Sequence, residues 1–493
     1  MGVAGINTTR LVEAAQTLVR NQFIDEVGTG AQRVVRMATR PNEHLYPFVW
    51  DWDSALVANA FAEAGAPRRA LAELATLHGA QHDSGLVAHI AFTNNADDLA
   101  RYFPGPDAWG GLVGRDGRSI SGISQPPISG IALRRAFEAG GEADTPIIRE
   151  LVDRIHDHHR WWLRARNPAG DGNVEVLHGW ATGRDNAPEV LALMRADDMP
   201  VRSGVQALRR DLSHGVDPAS RPDEWYYARA VGLADAGVAR GGWSDPTLAA
   251  RMPFRLADPM VGALLAASSH DVGTVARRLG MTQVADEAAE ISSKVSSALT
   301  ARMLPDGTIP AIDMRTGAAL VDHTTIAQPM VAWAPGMDEQ ALLRAARLVD
   351  DGGALAGEHG VLSAAQTDRF YDPQRYWLGA TWPHMDELVA RGLQRAADEP
   401  GRSPDVRAAL LRAVDSLDAR VSAAINRWGT PEYRHAETGE TAGKVGMSFS
   451  SGAMLMHASR RGAPGLDDAM AAWRSLGGDV PADARIVLGD VFG

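Results

Sequence analysis

Helix, short break, helix is the pattern that recurs through most of the 493 residues, and it leaves few folds open to the chain. Apolar residues at helical spacing open the sequence, with Leu11, Ala14, Ala15, Leu18 and Val19 on one face of a helix over Thr8 to Phe23. Further helices are predicted from Ala55 to Ala64, Arg68 to His78, Pro126 to about Glu138, where prolines suit the first turn, and Thr145 to Ala165. The pattern resumes over Asp223 to Ala236, Asp258 to Leu279, Thr282 to Met303, Asp338 to Val349, Trp382 to Ala396, Pro404 to Arg427 and Ser450 to Arg460. Gly, Pro, Asn and Asp punctuate most of the joints. Only Thr308 to Leu320, turning at Arg315-Thr316-Gly317, and Glu432 to Phe449, turning at Glu437-Thr438-Gly439, read as β-hairpins. About a dozen helices with almost no strands predict an all-α fold, its helices paired into a toroid. Length alone allows two or three domains. With no Pro- or Ser-rich linker and no short-period repeat, the sequence reads as one unit spanning 1–493.

Composition narrows the function. The chain has no cysteine, so it has no disulfide framework, thiolate nucleophile or cysteine-bound metal. A net charge of -12, with basic residues scattered among acidic ones, argues against a nucleic-acid surface. Residues 1–20 carry no continuous apolar core of the signal-peptide kind, and no run is long enough to span a bilayer, so a soluble, cytoplasmic protein without membrane contact is expected. The 13 Trp outnumber the 10 Phe and 7 Tyr, and many stand beside Asp, Gly, Pro or His. Trp faces flanked by hydrogen-bonding groups suit sugar rings.

Several stretches concentrate chemistry. In His178-Gly179-Trp180-Ala181-Thr182-Gly183-Arg184-Asp185-Asn186-Ala187-Pro188-Glu189, a turn leading into a helix places one carboxylate among glycines, an aromatic and an arginine. Asp185 there reads either as a catalytic acid or, with Asn186, as a helix cap. In Trp50-Asp51-Trp52-Asp53-Ser54, Asp53 reads as part of a sugar-binding corner or, with Ser54, as another cap. Trp377 and Trp382 surround Gly379 at a further helix start, and Glu432 lies beside Trp428 and Tyr433 as a second acid or as a solvated loop residue. Glycosidic hydrolysis needs such a pair of carboxyl groups, one protonated and one ionised, and Trp180 could supply the apolar surface that keeps Asp185 protonated. His156-Asp157-His158-His159 lies within a helix and lacks the ligand spacing of a closed metal site, so no metal is expected. Gly28-Thr29-Gly30 is not completed as a phosphate loop, and no nucleophile elbow or cofactor motif is present.

Taken in order, Phe48 to Ser54, Tyr102 to Pro106, Ser124-Gln125-Pro126-Pro127, Gly183-Arg184-Asp185-Asn186, Tyr376-Trp377 with Gly379 and Trp382, and Glu432-Tyr433 resemble the inverting glycoside hydrolase family that contains processing α-glucosidase I. The likeness is strongest to its bacterial mannosylglycerate and glucosylglycerate hydrolases and covers most of the chain. It implies an (α/α)6 barrel with the active site at one end, built by loops between helices and short β-hairpins. Lids are expected near 80–125, 200–222 and 435–446, the last, rich in Gly, Thr and Glu and close to Glu432, a mobile flap. It further implies Asp185 as general acid and Glu432 as general base. The sugar site would be formed by Tyr46, Trp50, Trp52, Asp53, His89, Gln125, Trp180, Gly183, Arg184, Tyr376, Trp377 and Trp382. Arg221, in an Arg-Pro segment, would hold an acceptor carboxylate, its other reading being a loop arginine. The implied partner is a small carbohydrate, without cofactor, and a homo-oligomer remains open.

The family often has Glu where this chain has Ala181, Ser at Ala187, Arg at Leu378 and Pro at Ala380. Ala181 and Leu378 would strip polar groups from the pocket wall and point to a larger or less polar aglycone. Two other classes compete with an inverting α-glycosidase. A sugar isomerase or epimerase on the same toroid would use facing histidines drawn from His89, His178 and His384, and a sugar-binding protein would bind without turnover.

Overall fold

The computed structural model describes residues 5–27, 33–93, 96–140 and 144–488. The Gly28-Thr29-Gly30 stretch lies outside them. Among the described residues, six helical elements close an inner ring by packing each on the next: Asp51–Glu63, Ser129–Gly140, Pro259–Arg278, the short 3-10 helix Pro329–Trp333, Pro383–Ala397 and Ser448–Arg460, which returns to the first. Six more lie outside them: Thr8–Arg20, Pro67–Gly79, Thr145–Ala165, Thr282–Ala301, Glu339–Val349 and Pro404–Trp428. The result is an (α/α)6 barrel. Sequence composition sorts the two rings. Asp51–Glu63 is buried from Asp51 through Ala62, and apart from Asp51, Asp53 and Asn59 its buried residues are small or apolar, as suits an interior helix. Thr145–Ala165 buries Ile147, Ile148, Leu151, Val152 and Ile155 while Arg149, Glu150 and Asp153 face solvent.

Most helical segments and both hairpins fall where the periodicity places them; the 3-10 helix Pro329–Trp333, the helix Leu466–Ser475 and the strand pair Ala356–Gly357 with Gly360–Val361 have no counterpart in the sequence reading, and three further differences concern predicted segments. The first helix stops at Arg20, because the chain then enters strand Gln22–Val27, paired antiparallel with Val34–Thr39 and joined by a parallel Arg485–Ile486. That sheet escapes the sequence pattern because Val34–Thr39 is buried throughout and so shows no period-2 alternation. The helix after Gln125 begins at Ser129, so Pro126 and Pro127 precede it instead of forming its first turn. Finally, the helix predicted from Ser450 starts at Ser448. The expected hairpins are present as Ile312–Asp313 with Ala318–Ala319, and Pro431–Arg434 with Thr441–Val445. No helix among the described residues is long and apolar enough to cross a membrane.

The segments preceding the inner helices carry the residues of interest. Trp50 is the N-cap of Asp51–Glu63, Gln125 precedes Ser129–Gly140, Trp382 is the N-cap of Pro383–Ala397, and the Glu432 hairpin precedes Ser448–Arg460. The long excursion from 166 to 258 contributes Asp185 and Arg221 to the same end.

Candidate active site

One cavity at this end is lined by Tyr46, Trp50, Trp52, Asp53, His89, Gln125, Trp180, Gly183, Asp185, Tyr376, Trp377, Trp382 and Glu432, drawn from separate stretches of chain. Buried hydrogen bonds lock those stretches together. Asp51 Oδ2 accepts from the Gln125 amide and the Ser124 hydroxyl, both at 3.1 Å, and the Asp51 amide donates to the His89 carbonyl. Asn186 accepts from the Trp377 amide at 3.0 Å, so the Asp185 turn and the tryptophan loop are built as one piece. Thr381 and Arg434 exchange backbone hydrogen bonds, tying that loop to the strand of Glu432. At Gly183, φ is 70° and an added Cβ would lie 2.7 Å from the Trp52 ring, so a side chain there would push this wall apart.

The aromatic walls are preorganised. Trp377 and Trp382 stack with centroids 4.0 Å apart, and Trp382 stacks in turn on Tyr433. Tyr46, Trp50 and His89 meet edge to face. Tyr376 holds a left-handed backbone, φ 53°, which a tyrosine adopts only when its surroundings impose it. Trp50 Nε1, Gln125 Oε1 and both ring nitrogens of His384 are buried on this cavity without a protein partner. Buried polar atoms of that kind await a ligand or water.

The carboxyl groups differ in environment. Burial raises Asp185 from its ordinary value to about 7, with the Arg221 charge opposing and the Glu432 charge adding to the rise. Asp53 is likewise raised to about 7, chiefly by burial and further by Glu432 and Asp185. Glu432 is 1 % exposed and accepts four hydrogen bonds. Its Oε1 takes Arg221 Nη1 at 2.8 Å and the Tyr46 hydroxyl at 3.3 Å, and its Oε2 takes Arg221 Nη2 at 2.7 Å and the Lys444 amide at 2.8 Å. Only an ionised carboxylate can accept on both oxygens in this way.

The structural alternatives for these residues do not hold. The helix after Asp185 is Pro188–Met194, its N-cap is Ala187, and neither Asp185 nor Asn186 caps it. Asp53 lies inside its helix, past the N-cap Trp50, and Glu432 sits buried in a strand. Two residues expected to bind substrate, Arg184 at the sugar and Arg221 at the acceptor carboxylate, lie outside the cavity lining. Arg184 is fully buried outside the cavity lining, between Asp258 at 2.5 Å and Glu189 at 2.7 Å, because a buried guanidinium needs carboxylate partners and these two are supplied by neighbouring helices. Arg221 also lies outside the lining, with its guanidinium committed to Glu432. Ala181 and Leu378 are buried but line no part of the cavity, so their small or apolar side chains do not reshape its wall.

The sequence reading misses Arg209, Arg210, Asp211, Tyr227 and Phe449 as lining residues, and it names His384 only as a candidate for isomerase chemistry. Arg209 pairs bidentately with Asp211 and lies 4.0 Å over the Tyr227 ring. In the sequence they form part of a charged loop and the polar start of a helix, with no local signal to set them apart. Burial holds His89 well below its ordinary pKa, His178 at about 4 and His384 at about 3, so all three are neutral near pH 7, and His178 is not on the cavity. They make a poor acid–base pair for isomerase chemistry. His156 pairs with Glu287, His158 with Ser124 and Trp162, and His159 with Ser268 and Ser269, each histidine having its own partner.

Residues 46–451 match the family model described as a mannosylglycerate hydrolase MGH1-like glycoside hydrolase domain. The chain is 33% identical over 366 residues to mannosylglycerate hydrolase MGH2 of Selaginella moellendorffii, covering 72% of this chain and 71% of that protein. It is 28% identical over 443 residues to a glucosylglycerate hydrolase of Mycolicibacterium hassiacum, covering 83% and 92%. Its fold is similar to the GH63 mannosylglycerate hydrolase from Thermus thermophilus solved with Tris and D-glycerate, with a TM-score of 0.72 and 27% identity, covering 91% of this chain and 99% of that one.

Proposed function

The chain belongs to the mannosylglycerate hydrolase MGH1-like glycoside hydrolase family, and from that premise we propose that it cleaves the α-mannoside or α-glucoside of glycerate, or of a similarly small hydroxy acid, with inversion. The carrying observation is the contrast between two carboxyl groups in one aromatic-walled cavity. Asp185 is raised to about 7 by burial, and Glu432 is held as a carboxylate by four donors. Asp185 gives its proton to the glycosidic oxygen as that bond breaks. Glu432 takes a proton from a water whose oxygen bonds to the anomeric carbon from the opposite face. The products are the free sugar with its anomeric configuration inverted and the hydroxyl-bearing aglycone. A proton then passes through solvent from Glu432 back to Asp185.

Tyr46, Trp50, Trp52, Asp53, His89, Gln125, Trp180, Gly183, Tyr376, Trp377 and Trp382 form the sugar site in this reading, with the unpartnered atoms of Trp50, Gln125 and His384 meeting sugar hydroxyls. Residues 1–493 act as one catalytic unit, covered by segments near 80–125, 200–222 and 435–446. No cofactor enters the chemistry. The test is to follow by NMR the sugar released from synthetic α-mannosylglycerate and α-glucosylglycerate. The β-anomer is expected first. First appearance of the α-anomer sinks the inverting reading, and binding without any release on either substrate sinks hydrolysis of these glycosides.

A further inference from the structure

A general base must offer a lone pair to water, and Glu432 has none free. A carboxylate has about four acceptor positions, and here Arg221 occupies two, Tyr46 one and the Lys444 amide one. The two that Arg221 takes are charge-assisted and bidentate, the strongest of the set. Arg221 and Glu432 are 1 % and 2 % exposed in their side chains, so solvent does not weaken the pair. As it stands, the site binds its base in a form that cannot take a proton from water.

Arg221 has somewhere else to go. Its Nε is buried without a hydrogen-bond partner, and a second carboxylate, Asp211, is 3.9 Å away. The ring of Tyr376 lies 4.9 Å from the guanidinium carbon, a face along which it can slide. Asp211, Arg209 and Arg210 line the same cavity, so the Arg221 guanidinium borders a wall that already carries two further cations.

We propose that Arg221 is a clamp on Glu432 that opens by anion exchange: a carboxylate on the aglycone, entering beside Arg209 and Arg210, draws the guanidinium off Glu432 and leaves the base open to water. The proposal rests on Glu432 being the base. Arg221 is then a positioning residue whose effect falls on turnover, since a neutral glycoside fills the sugar site without opening the clamp. A ligand can shift such an equilibrium only through its differential affinity for the two arrangements, and the negative charge of the aglycone supplies it.

The experiment compares two substrates on the full chain, an α-mannoside of glycerate and its neutral methyl ester. In the wild type the ester is expected to lose at least about tenfold in kcat with a smaller change in KM, because without the anion Arg221 keeps both Glu432 oxygens occupied. In Arg221→Met the ester should turn over faster than in the wild type and the acid more slowly, so that the two converge. Arg221→Lys, which keeps a cation but loses the fork, guards against a misfolded Met variant and should give an intermediate ratio. An ester with the full kcat and only a raised KM overturns the clamp, as does an Arg221→Lys or Arg221→Met change that slows both substrates alike. Glu432→Gln separates the two readings. If it keeps turnover, the base assignment fails and the clamp with it. If it is inactive while Arg221 leaves the ratio untouched, the clamp alone fails.

Discussion

Asp185→Asn gives the sharpest test of the acid. In water an aspartic acid near 3.8 would be protonated in fewer than about one molecule in a thousand at pH 7, whereas burial lifts Asp185 to about 7 and leaves about half of the molecules ready to donate. That rise of about 3 pKa units corresponds to about 4 kcal/mol in favour of the protonated form. The sign follows directly: the acid is competent below pH 7 and is lost as pH rises through 7, so kcat/KM should be level in mild acid and fall about tenfold per unit well above neutrality. Asp185→Asn cannot donate and should cost about 100- to 10,000-fold on the glycerate glycoside. A glycosyl fluoride, whose leaving group needs little protonation, should be affected far less, and its alkaline limb should vanish. Asp53 is also raised to about 7, so Asp53→Asn is the control that must retain the limb. The reasoning is refuted if Asp185→Asn slows the fluoride as severely as the glycerate substrate, or if its alkaline limb survives while that of Asp53→Asn disappears.

Other expectations come from single contacts. An alanine at Gly443 would place its Cβ 2.4 Å from Glu432 Oε2 at a φ of 69°. Gly443→Ala should therefore lower kcat by about tenfold or more, at a backbone cost of about 1–2 kcal/mol read as a small drop in Tm, and an unchanged kcat would contradict the close packing of the hairpin on the base. Arg184→Met strands Asp258 and Glu189 and should destabilise folding by about 3–5 kcal/mol in urea titrations while leaving KM alone. A raised KM with intact stability would return Arg184 to the sugar site. The hairpin at 435–446 carries the Lys444 amide that holds Glu432, so its amide exchange should slow when glycerate or substrate is added. Exchange as slow as in the barrel helices, with and without ligand, would rule out a moving flap.

Much of this architecture was legible in one dimension. Helical periodicity separates the helices, but which of them form the inner ring was not read from it; Asp51–Glu63 proves buried along its length beside the amphipathic Thr145–Ala165. The turn residues at Gly317 and Gly439 mark both hairpins, and the clustering of Trp with Asp and Gly marks the stretches that line the cavity. Periodicity fails where burial is complete, which is why Val34–Thr39 gave no sign of being a strand. The partners of charged groups were invisible for a different reason. Arg184 stands next to Asp185 in sequence yet spends its charge on Asp258 and Glu189, and Arg221 meets Glu432 across 211 residues. Local sequence determines which face of a helix is apolar and where the chain can turn. Only the closing of the ring brings the segments before its inner helices to one end, and with them the burial and the neighbouring charges that make one carboxyl an acid and clamp the other.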